Sequence, residues 1–349
     1  MSKFWPKGSP GILHHYTETL VTFEYTAPRS QPHSLLFIGG LGDGLSTTSY
    51  LAELAKGLQS TQWALFTLIT TSSYQSWGLG HLDRDTDEIA RCINYIRAYK
   101  PAGRIVLMGH STGSQCVLHY LSRPNPHTTR HAFDAGLEHV TRPALDGAIM
   151  QAPVSDREAV SLIRRMGFCG RSPASIQAAY EEALASSLAA ERSPKAEEEK
   201  KTDTLLSLDV LNRIGYPAGT PLSTRRFLSL VSPESPAAPR EDDLFSSDLP
   251  DSQLEATFGK IRTNGLLRDA AKLLVLYSGA DQSVPAWVDK EALLARWRRA
   301  TDHDGAVSIW DAENGGIIPN ASHALSNDDQ AGPLADLVRR VTSYLSCSE

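Results

Sequence analysis

Cysteine is scarce in this chain, which has only four among its 349 residues. The four are far apart, and none stands in a Cys-x-x-Cys pair: Cys92, Cys116, Cys169 and Cys347. This spacing excludes the cysteine zinc motifs and offers no disulfide framework. Free thiols in a reducing compartment are the simplest interpretation, so we expect a cytoplasmic protein.

Long hydrophobic runs and an excess of positive charge are also missing. No segment approaches the length that a transmembrane helix requires, and the first ten residues lack the apolar core of a signal peptide. The 34 Lys and Arg residues are outnumbered by 40 Asp and Glu, which gives a net charge of −6. We therefore expect neither a membrane nor a nucleic acid as a partner.

What the chain does have is a regular alternation of apolar runs and helical patterns. The runs that we predict as strands are Leu20–Tyr25, Ser34–Ile38, Trp63–Ile69, Ile105–Met108, Gly147–Gln151 and Lys272–Tyr277. The helical patterns between them are Leu51–Leu58, Asp83–Tyr99 and a segment from about Gly113. This order predicts an α/β fold with a mostly parallel sheet, flanked by helices and joined by right-handed crossovers.

The alternation stops near residue 152 and resumes at residue 272. A gap of roughly 120 residues is too long for a simple loop and must have structure of its own. It contains helical patterns at Arg157–Met166 and Ser175–Ala190, then a charged stretch, Glu191–Thr202, of which we expect Glu197–Lys201 at the surface. We expect residues 1–151 and 272–349 to form the core, and residues 152–271 to form a largely helical cap.

A Gly-x-Ser-x-Gly motif follows the predicted strand Ile105–Met108. The serine is Ser111, and the flanking glycines are Gly109 and Gly113. In a nucleophile elbow, a strand turns sharply into a helix and exposes the serine, whose strained backbone leaves no room for side chains two residues away. The position of the motif between a strand and a helix therefore predicts that Ser111 is a nucleophile.

A serine nucleophile needs a base, and the base needs an acid that orients it. Asp281 lies in a glycine-containing turn after the strand Lys272–Tyr277, and His323 lies in a loop beyond the strand-like run Ala306–Trp310. The order Ser, Asp, His is that of α/β-hydrolases. We predict a triad of Ser111, Asp281 and His323, with Asp156 as the alternative acid because it follows an earlier strand.

Backbone N–H groups are predicted to hold the oxyanion that forms during acyl transfer. One donor is expected from Thr112, the residue after the nucleophile, and the second from the turn at Leu41, with Gly40 or Gly42 as alternatives. This glycine-rich turn lacks the spacing of a dinucleotide loop and the Gly-Lys-Ser/Thr ending of a phosphate loop. We therefore expect no cofactor.

A metal site is not expected either. Three histidines, His127, His131 and His139, share no helical face, and the sequence shows no cluster of Cys or Asp that joins them.

Taken together, these motifs resemble a fungal family of α/β-hydrolases known as DUF1749. The matching stretches are Phe37–Gly44, Ser76–Gly78, Gly109–Cys116, Gln151–Glu158, Asp242–Leu249 and Ser278–Pro285. The resemblance implies a serine ester hydrolase that works through an acyl-enzyme. It also implies that the substrate is a hydroxamate siderophore of the fusarinine C type, whose ester hydrolysis releases iron inside the cell.

Two further functions remain open: a general carboxylesterase or lactonase that acts on another metabolite, and a non-catalytic ligand-binding protein with the same fold. A cationic substrate would be attracted by acids of the cap, and the candidates are Asp242, Asp243 and Asp248. Alternatively, these three acids belong to a solvated loop and do not contact the substrate. Tyr74 and Trp77 are candidates to line the pocket, although they could equally anchor their own loop.

Overall fold

The centre of the molecule is an eight-stranded sheet in the order β1-β2-β4-β3-β5-β6-β7-β8. The computed structural model describes residues 8–192 and 203–347. The strands are β1 (Gly11–His15), β2 (Val21–Tyr25), β3 (His33–Ile38), β4 (Trp63–Leu68), β5 (Ile105–His110), β6 (Gly147–Gln151), β7 (Leu273–Ser278) and β8 (Gly316–Ile318). Only β1 with β2 and β2 with β4 pair antiparallel, so the predicted mostly parallel sheet is confirmed.

Helices cover both faces of this sheet, and others form a layer above it. They are α1 (Leu51–Leu58), α2 (Leu82–Tyr99), α3 (Thr112–Ser122), α4 (Asp156–Met166), α5 (Pro173–Arg192), α6 (Leu208–Ile214), α7 (Thr224–Val231), α8 (Asp251–Thr257), α9 (Lys260–Thr263), α10 (Lys290–Thr301) and α11 (Ala331–Cys347). A short 3₁₀ segment, Tyr74–Leu79, precedes α2. Within the described residues, no helix combines the length and the apolar character that crossing a bilayer requires.

Strand β5 shows why the sheet is covered on both faces. All six of its residues are buried, as expected for a parallel strand between two helical layers. Side chains alternate along a strand, and Val106 accordingly packs in one core with α1 and α11, while Leu107 packs in the other with α2 and α3. The carboxyl end of β5 is thus held rigidly from both sides.

The region predicted as a cap divides between two cores. Helices α4 to α7 share a hydrophobic cluster of their own, to which the core contributes Trp77. By contrast, the stretch from Leu244 to Leu267 packs in the main core, where Phe245 and Phe258 contact Trp297 of α10. The separate layer above the sheet therefore comprises α4 to α7, whereas the later part of the segment lies against the sheet's own helices.

The strand-like run Ala306–Trp310 is not a strand in the structure. Only Trp310 of the run Ala306–Trp310 forms a bridge, to Leu273, and the last strand of the sheet is β8 instead. The carboxylate of Asp302 accepts hydrogen bonds from the N–H groups of both Ile309 and Trp310, which prevents these groups from joining a strand ladder.

Part of the chain that carried a prediction lies outside the described residues. This applies to residues 1–7, where a signal peptide was not expected, and to residues 193–202, which include the Glu197–Lys201 segment predicted to lie at the surface.

The glycines of the elbow are required by close backbone contacts. Ser111 has φ 54° and ψ −120°, a conformation that side-chain-bearing residues rarely adopt. A Cβ at Gly109 would lie 2.1 Å from the carbonyl oxygen of Gly113, and one at Gly113 would lie 2.4 Å from that of Ile38. Strand, nucleophile and helix therefore fit together only with glycine at both positions.

We expect Gly113→Ala to destabilise the fold by about 1–3 kcal/mol, because the added methyl group overpacks the backbone of β3. Gly8→Ala is the matched control, since Gly8 is exposed and a Cβ there meets no atom within 4 Å. That variant should be neutral or more stable by about 0.4–1 kcal/mol. Urea denaturation measures both, and equal stability of the two variants would contradict the steric account.

Candidate active site

The structure brings Ser111, His323 and Asp281 into one hydrogen-bonded chain. His323 Nε2 lies 2.8 Å from Ser111 Oγ, and His323 Nδ1 lies 2.7 Å from Asp281 Oδ2. A carboxylate only accepts hydrogen bonds, so Nδ1 carries the proton and Nε2 is free to accept the serine hydroxyl. This is the arrangement in which a histidine can remove a proton from serine.

Three parallel strands of the sheet, β5, β7 and β8, deliver these side chains to its carboxyl edge. Ser111 follows β5, Asp281 follows β7 by three residues, and His323 lies in the loop after β8. Two backbone hydrogen bonds join the loops that carry the acid and the base: Gly279 N to Ile318 O at 3.0 Å and Ala280 N to Ala321 O at 2.8 Å. Ser111 and His323, which are 212 positions apart in the chain, are therefore brought together by the order of the strands in the sheet.

A buried layer lies beneath the base. The ring of His110 lies 5.1 Å from the ring of His323, and its Nδ1 bonds to the side chain of Gln151. Gln151 also accepts a hydrogen bond from the Tyr50 hydroxyl at 2.9 Å. Burial, reinforced by His323, lowers the pKa of His110 to about 4. His110 is therefore neutral at neutral pH and packs against the base as an uncharged ring.

The glycine-rich turn after β3 lies directly against the elbow. A Cβ at Gly40 would lie 2.8 Å from the Cβ of Ser111, so only glycine allows this approach. The Leu41 N–H donates to Thr112 Oγ1 at 3.0 Å, which places the two predicted donor residues side by side. The Gly40 N–H is taken by Asp43, whose carboxylate also accepts from Thr48 and so holds the turn. This role of Asp43 was not predicted from the sequence.

The two aromatic candidates occupy different places. Trp77 is buried and borders a cavity of about 40 Å³ beside the elbow, and its ring lies 5.8 Å from that of Tyr216 of the cap. Tyr74 is 46% exposed; its ring covers Gly44, and its hydroxyl accepts from the Leu45 N–H at 3.2 Å. Trp77 therefore both lines the cavity and anchors the cap, whereas Tyr74 braces the turn from outside.

The three cap acids are paired with arginines, so none is a free carboxylate. Asp242 is buried and receives two hydrogen bonds from Arg226 Nη1, at 2.6 and 2.7 Å. Asp243 and Asp248 share Arg157 of α4. Asp242 and Asp243 are buried and already bond an arginine, so they gain little from a substrate cation, whereas Asp248 is exposed. Their visible role is to fasten the cap.

The alternative acid, Asp156, does not reach the base. Its Oδ2 accepts from Gln115 Nε2 at 2.6 Å instead, and burial raises its pKa to about 6. Of the two candidates, only Asp281 contacts His323.

Two charged residues that the sequence did not reveal border the same cavity. Arg226 reaches it from α7 of the cap, and Asp85 reaches it from α2. Asp85 Oδ1 and Arg226 Nε are buried without a hydrogen-bond partner. Burial, reinforced by Glu88, raises the pKa of Asp85 to about 7. These polar atoms are available to a bound molecule, yet no local spacing in the sequence would have identified them.

The expectation that no acids join the loop histidines is wrong. Asp83 and Asp87 of α2 both contact them: His131 Nε2 lies 2.8 Å from Asp83 Oδ2, and His127 Nε2 lies 3.2 Å from Asp87 Oδ1. The pairs are 40 to 48 residues apart in the chain, so no sequence motif records them.

Comparison with known proteins decides the family. The family model described as "Protein of unknown function (DUF1749)" matches residues 2–346. The chain belongs to the DUF1749 family. Among members with names, the fusarinine C esterase sidJ of Aspergillus fumigatus is 66% identical over 99% of this chain and 98% of its own length. A protein of Emericella nidulans named as an esterase is 48% identical, over 97% and 93% respectively.

A solved structure from the same family has the same fold. The siderophore hydrolase EstB from Aspergillus fumigatus superposes with a TM-score of 0.88 at 64% identity, covering 99% of each chain. A more distant α/β-hydrolase of unknown function superposes with a TM-score of 0.53 at 12% identity, covering 98% of this chain and 96% of its own. The α/β-hydrolase fold expected for a DUF1749 chain is thereby confirmed.

Two buried acids on α2 should affect stability in opposite ways. The pKa of Asp85 is raised in the folded protein, so folding disfavours its ionised form. Asp85→Asn removes this ionisation and should raise Tm by a few degrees near pH 8. The gain in Tm should fade as the pH falls through about 7. For Asp83, burial is outweighed by hydrogen bonds from His119 and His131, which hold its pKa well below the usual range.

Asp83→Asn should therefore lower Tm throughout the neutral range, because the stabilisation is lost only as pH falls below the unfolded value of 3.8. Differential scanning fluorimetry from about pH 5 to pH 8 compares the two variants with the wild type. Shifts of the same sign near pH 8 would show that the two carboxyls do not differ as described.

Proposed function

We propose that this chain is a serine ester hydrolase in which Ser111 is the nucleophile, His323 the base and Asp281 the orienting acid. The observation that carries the proposal is the hydrogen-bonded chain from Asp281 through His323 to Ser111, with contacts of 2.7 and 2.8 Å. The strained backbone of Ser111 at the end of a buried strand supports the same assignment. The relatives that carry an activity in their names are named as esterases or a hydrolase.

In the proposed reaction, Ser111 Oγ attacks the ester carbonyl while His323 Nε2 takes its proton. The imidazolium then gives that proton to the departing alcohol, which leaves an acyl group on Ser111. Water, activated by the same histidine, releases the acid and restores the serine. Asp281 stays unprotonated and stabilises the imidazolium through Nδ1–H.

The oxyanion is assigned to the N–H groups of Thr112 and Leu41. Thr112 is the first residue of α3, and the first N–H groups of a helix have no partner within it. The Leu41 N–H donates to Thr112 Oγ1 at 3.0 Å, and a substrate oxygen would take over this donor on binding. Because the Gly40 N–H is held by Asp43, Leu41 is preferred over Gly40 as the second donor.

The substrate that we propose is a hydroxamate siderophore of the fusarinine C type, hydrolysed in the cytoplasm. Support comes from the names of two relatives, at 66% and 64% identity, over nearly the whole of each chain and so including the cap. All four cysteines are free, which supports a reducing location. We assign substrate choice to the cap layer α4 to α7, which contributes Arg226 to the cavity beside the elbow.

Removal of the nucleophile or the base should abolish nearly all turnover. Ser111→Ala and His323→Ala should each lower kcat by roughly 10⁴–10⁶-fold, and the double variant should be little worse because the groups act as a unit. Steady-state hydrolysis of p-nitrophenyl acetate measures this. Multiplicative losses in the double variant would mean that the two residues act independently.

The identity of the acid can be tested with a matched pair of variants. Asp281→Asn should lower kcat by about 10⁴-fold because it breaks the contact that fixes the tautomer of His323. Asp156→Asn is the control: its carboxyl bonds Gln115, so kcat should change by less than about tenfold. A larger loss for Asp156→Asn would transfer the acid role to that residue.

The substrate class is tested by comparing kcat/KM for ferric fusarinine C, its acetylated derivative and p-nitrophenyl acetate. If the cap binds parts of the siderophore remote from the reacting ester, ferric fusarinine C should exceed the simple ester by at least about 100-fold in kcat/KM. Failure to hydrolyse either siderophore, with good turnover of the simple ester, would favour a general carboxylesterase instead.

A further inference from the structure

A cluster of histidines and acids lies where the loop after α3 meets helix α2. The loop, residues 123–146, contributes His127, His131 and His139, and α2 contributes Asp83 and Asp87. The cluster is separate from the proposed catalytic machinery, because none of its members borders the cavity beside Ser111. Nothing in the proposed ester hydrolysis uses these residues.

His127 is at the centre of the cluster and is almost fully buried, with 1% of its surface exposed. Its Nδ1 lies 3.1 Å from His139 Nδ1, and its Nε2 lies 3.2 Å from Asp87 Oδ1. A second carboxylate oxygen, Asp83 Oδ2, lies 3.7 Å from His127 Nδ1. If His127 binds an ion through Nε2, the nitrogen beside Asp87, the Asp83 carboxylate faces the other ring nitrogen.

The spacing of the donor atoms suits a first-row metal ion. One donor atom each from Asp87, His127 and His139 lies within 4.8 Å of the other two. On a tetrahedral zinc ion with bonds of 2.0–2.1 Å, two ligand atoms are about 3.3 Å apart, close to the 3.2 Å between His127 Nε2 and Asp87 Oδ1. A carboxylate facing the second nitrogen of a ligating histidine is the usual way to fix its orientation.

One carboxylate oxygen of the cluster lacks a partner. Asp87 is 3% exposed, and its Oδ1 accepts from His127 and from the Val140 N–H, but its Oδ2 has no hydrogen-bond partner. A buried oxygen without a partner is costly, and a bound cation would remove that cost. His139, next to Val140 in the chain, is only partly buried, so an ion can enter from its side.

We infer that Asp87, His127 and His139 form a binding site for one divalent transition-metal ion, with Zn²⁺ the best match. Two imidazoles favour such an ion over Mg²⁺ or Ca²⁺, which prefer oxygen ligands only. Three protein ligands leave a fourth position for water. The ion would join the 123–146 loop to α2 and so stabilise this side of the core, independently of ester hydrolysis.

The test measures Zn²⁺ binding to the purified full chain after removal of any affinity tag and treatment with chelator. Equilibrium dialysis with elemental analysis should give close to one Zn²⁺ per chain, and Co²⁺ should produce the visible absorption of a four-coordinate site. His139→Asn and Asp87→Asn should each weaken binding at least tenfold. Asparagine is chosen at His139 because it tolerates the positive φ of 51° there.

His131→Asn is the matched control, since His131 lies in the same loop but bonds Asp83 and is outside the proposed ligand set. It should retain wild-type affinity within about threefold. Zn²⁺ should raise the Tm of the wild type and of His131→Asn, but not that of His139→Asn. If one ligand variant fails to fold, the other gives the answer.

Less than about 0.1 Zn²⁺ per wild-type chain at micromolar metal would overturn the inference and leave the cluster a hydrogen-bond network only. Unchanged affinity in both ligand variants would also overturn it. Because the readouts are metal content and Tm, the result does not depend on whether the chain hydrolyses esters.

Discussion

The strained backbone of Ser111 is the constraint on which the candidate site depends. At φ 54° and ψ −120°, it turns the end of a buried strand straight into a helix. The turn is possible only because Gly109 and Gly113 let backbone atoms approach where side chains would collide. Strain of this kind persists only where the surroundings over-determine it, and both faces of β5 are packed by separate hydrophobic cores.

Everything else at the site is arranged around that turn. Parallel strands place Asp281 and His323 at the same edge of the sheet as Ser111, and the turn after β3 brings Leu41 to Thr112. The core carries the three residues of the proposed triad, and the cap layer α4 to α7 lies above the sheet. The cap is held by buried ion pairs, of which Arg226 with Asp242 lies nearest to the cavity. These pairs fix which surface a substrate meets, which is why the cap is assigned the choice of substrate.

The parts of the structure that sequence could predict are those encoded locally. Periodicity located α1 and β6 to the residue, and strand order followed from alternation of strands and helices. Ser111, Asp281 and His323 were identified because each follows an apolar run in a known order. The partners of Asp242 and of the loop histidines were not predictable, because these partners lie far away in the chain and come close only in the folded structure. Likewise, the run ending at Trp310 has the composition of a strand, but the N–H groups of Ile309 and Trp310 donate to Asp302, which lies outside the run.

The central claim is that Ser111 is an activated nucleophile. Labelling with a fluorophosphonate probe, followed by peptide mass spectrometry, tests it most directly. The account predicts a single modification on the peptide that contains Ser111, lost in Ser111→Ala and strongly slowed in His323→Ala. No labelling of the wild type, or equal labelling of the Ser111→Ala variant, would contradict it.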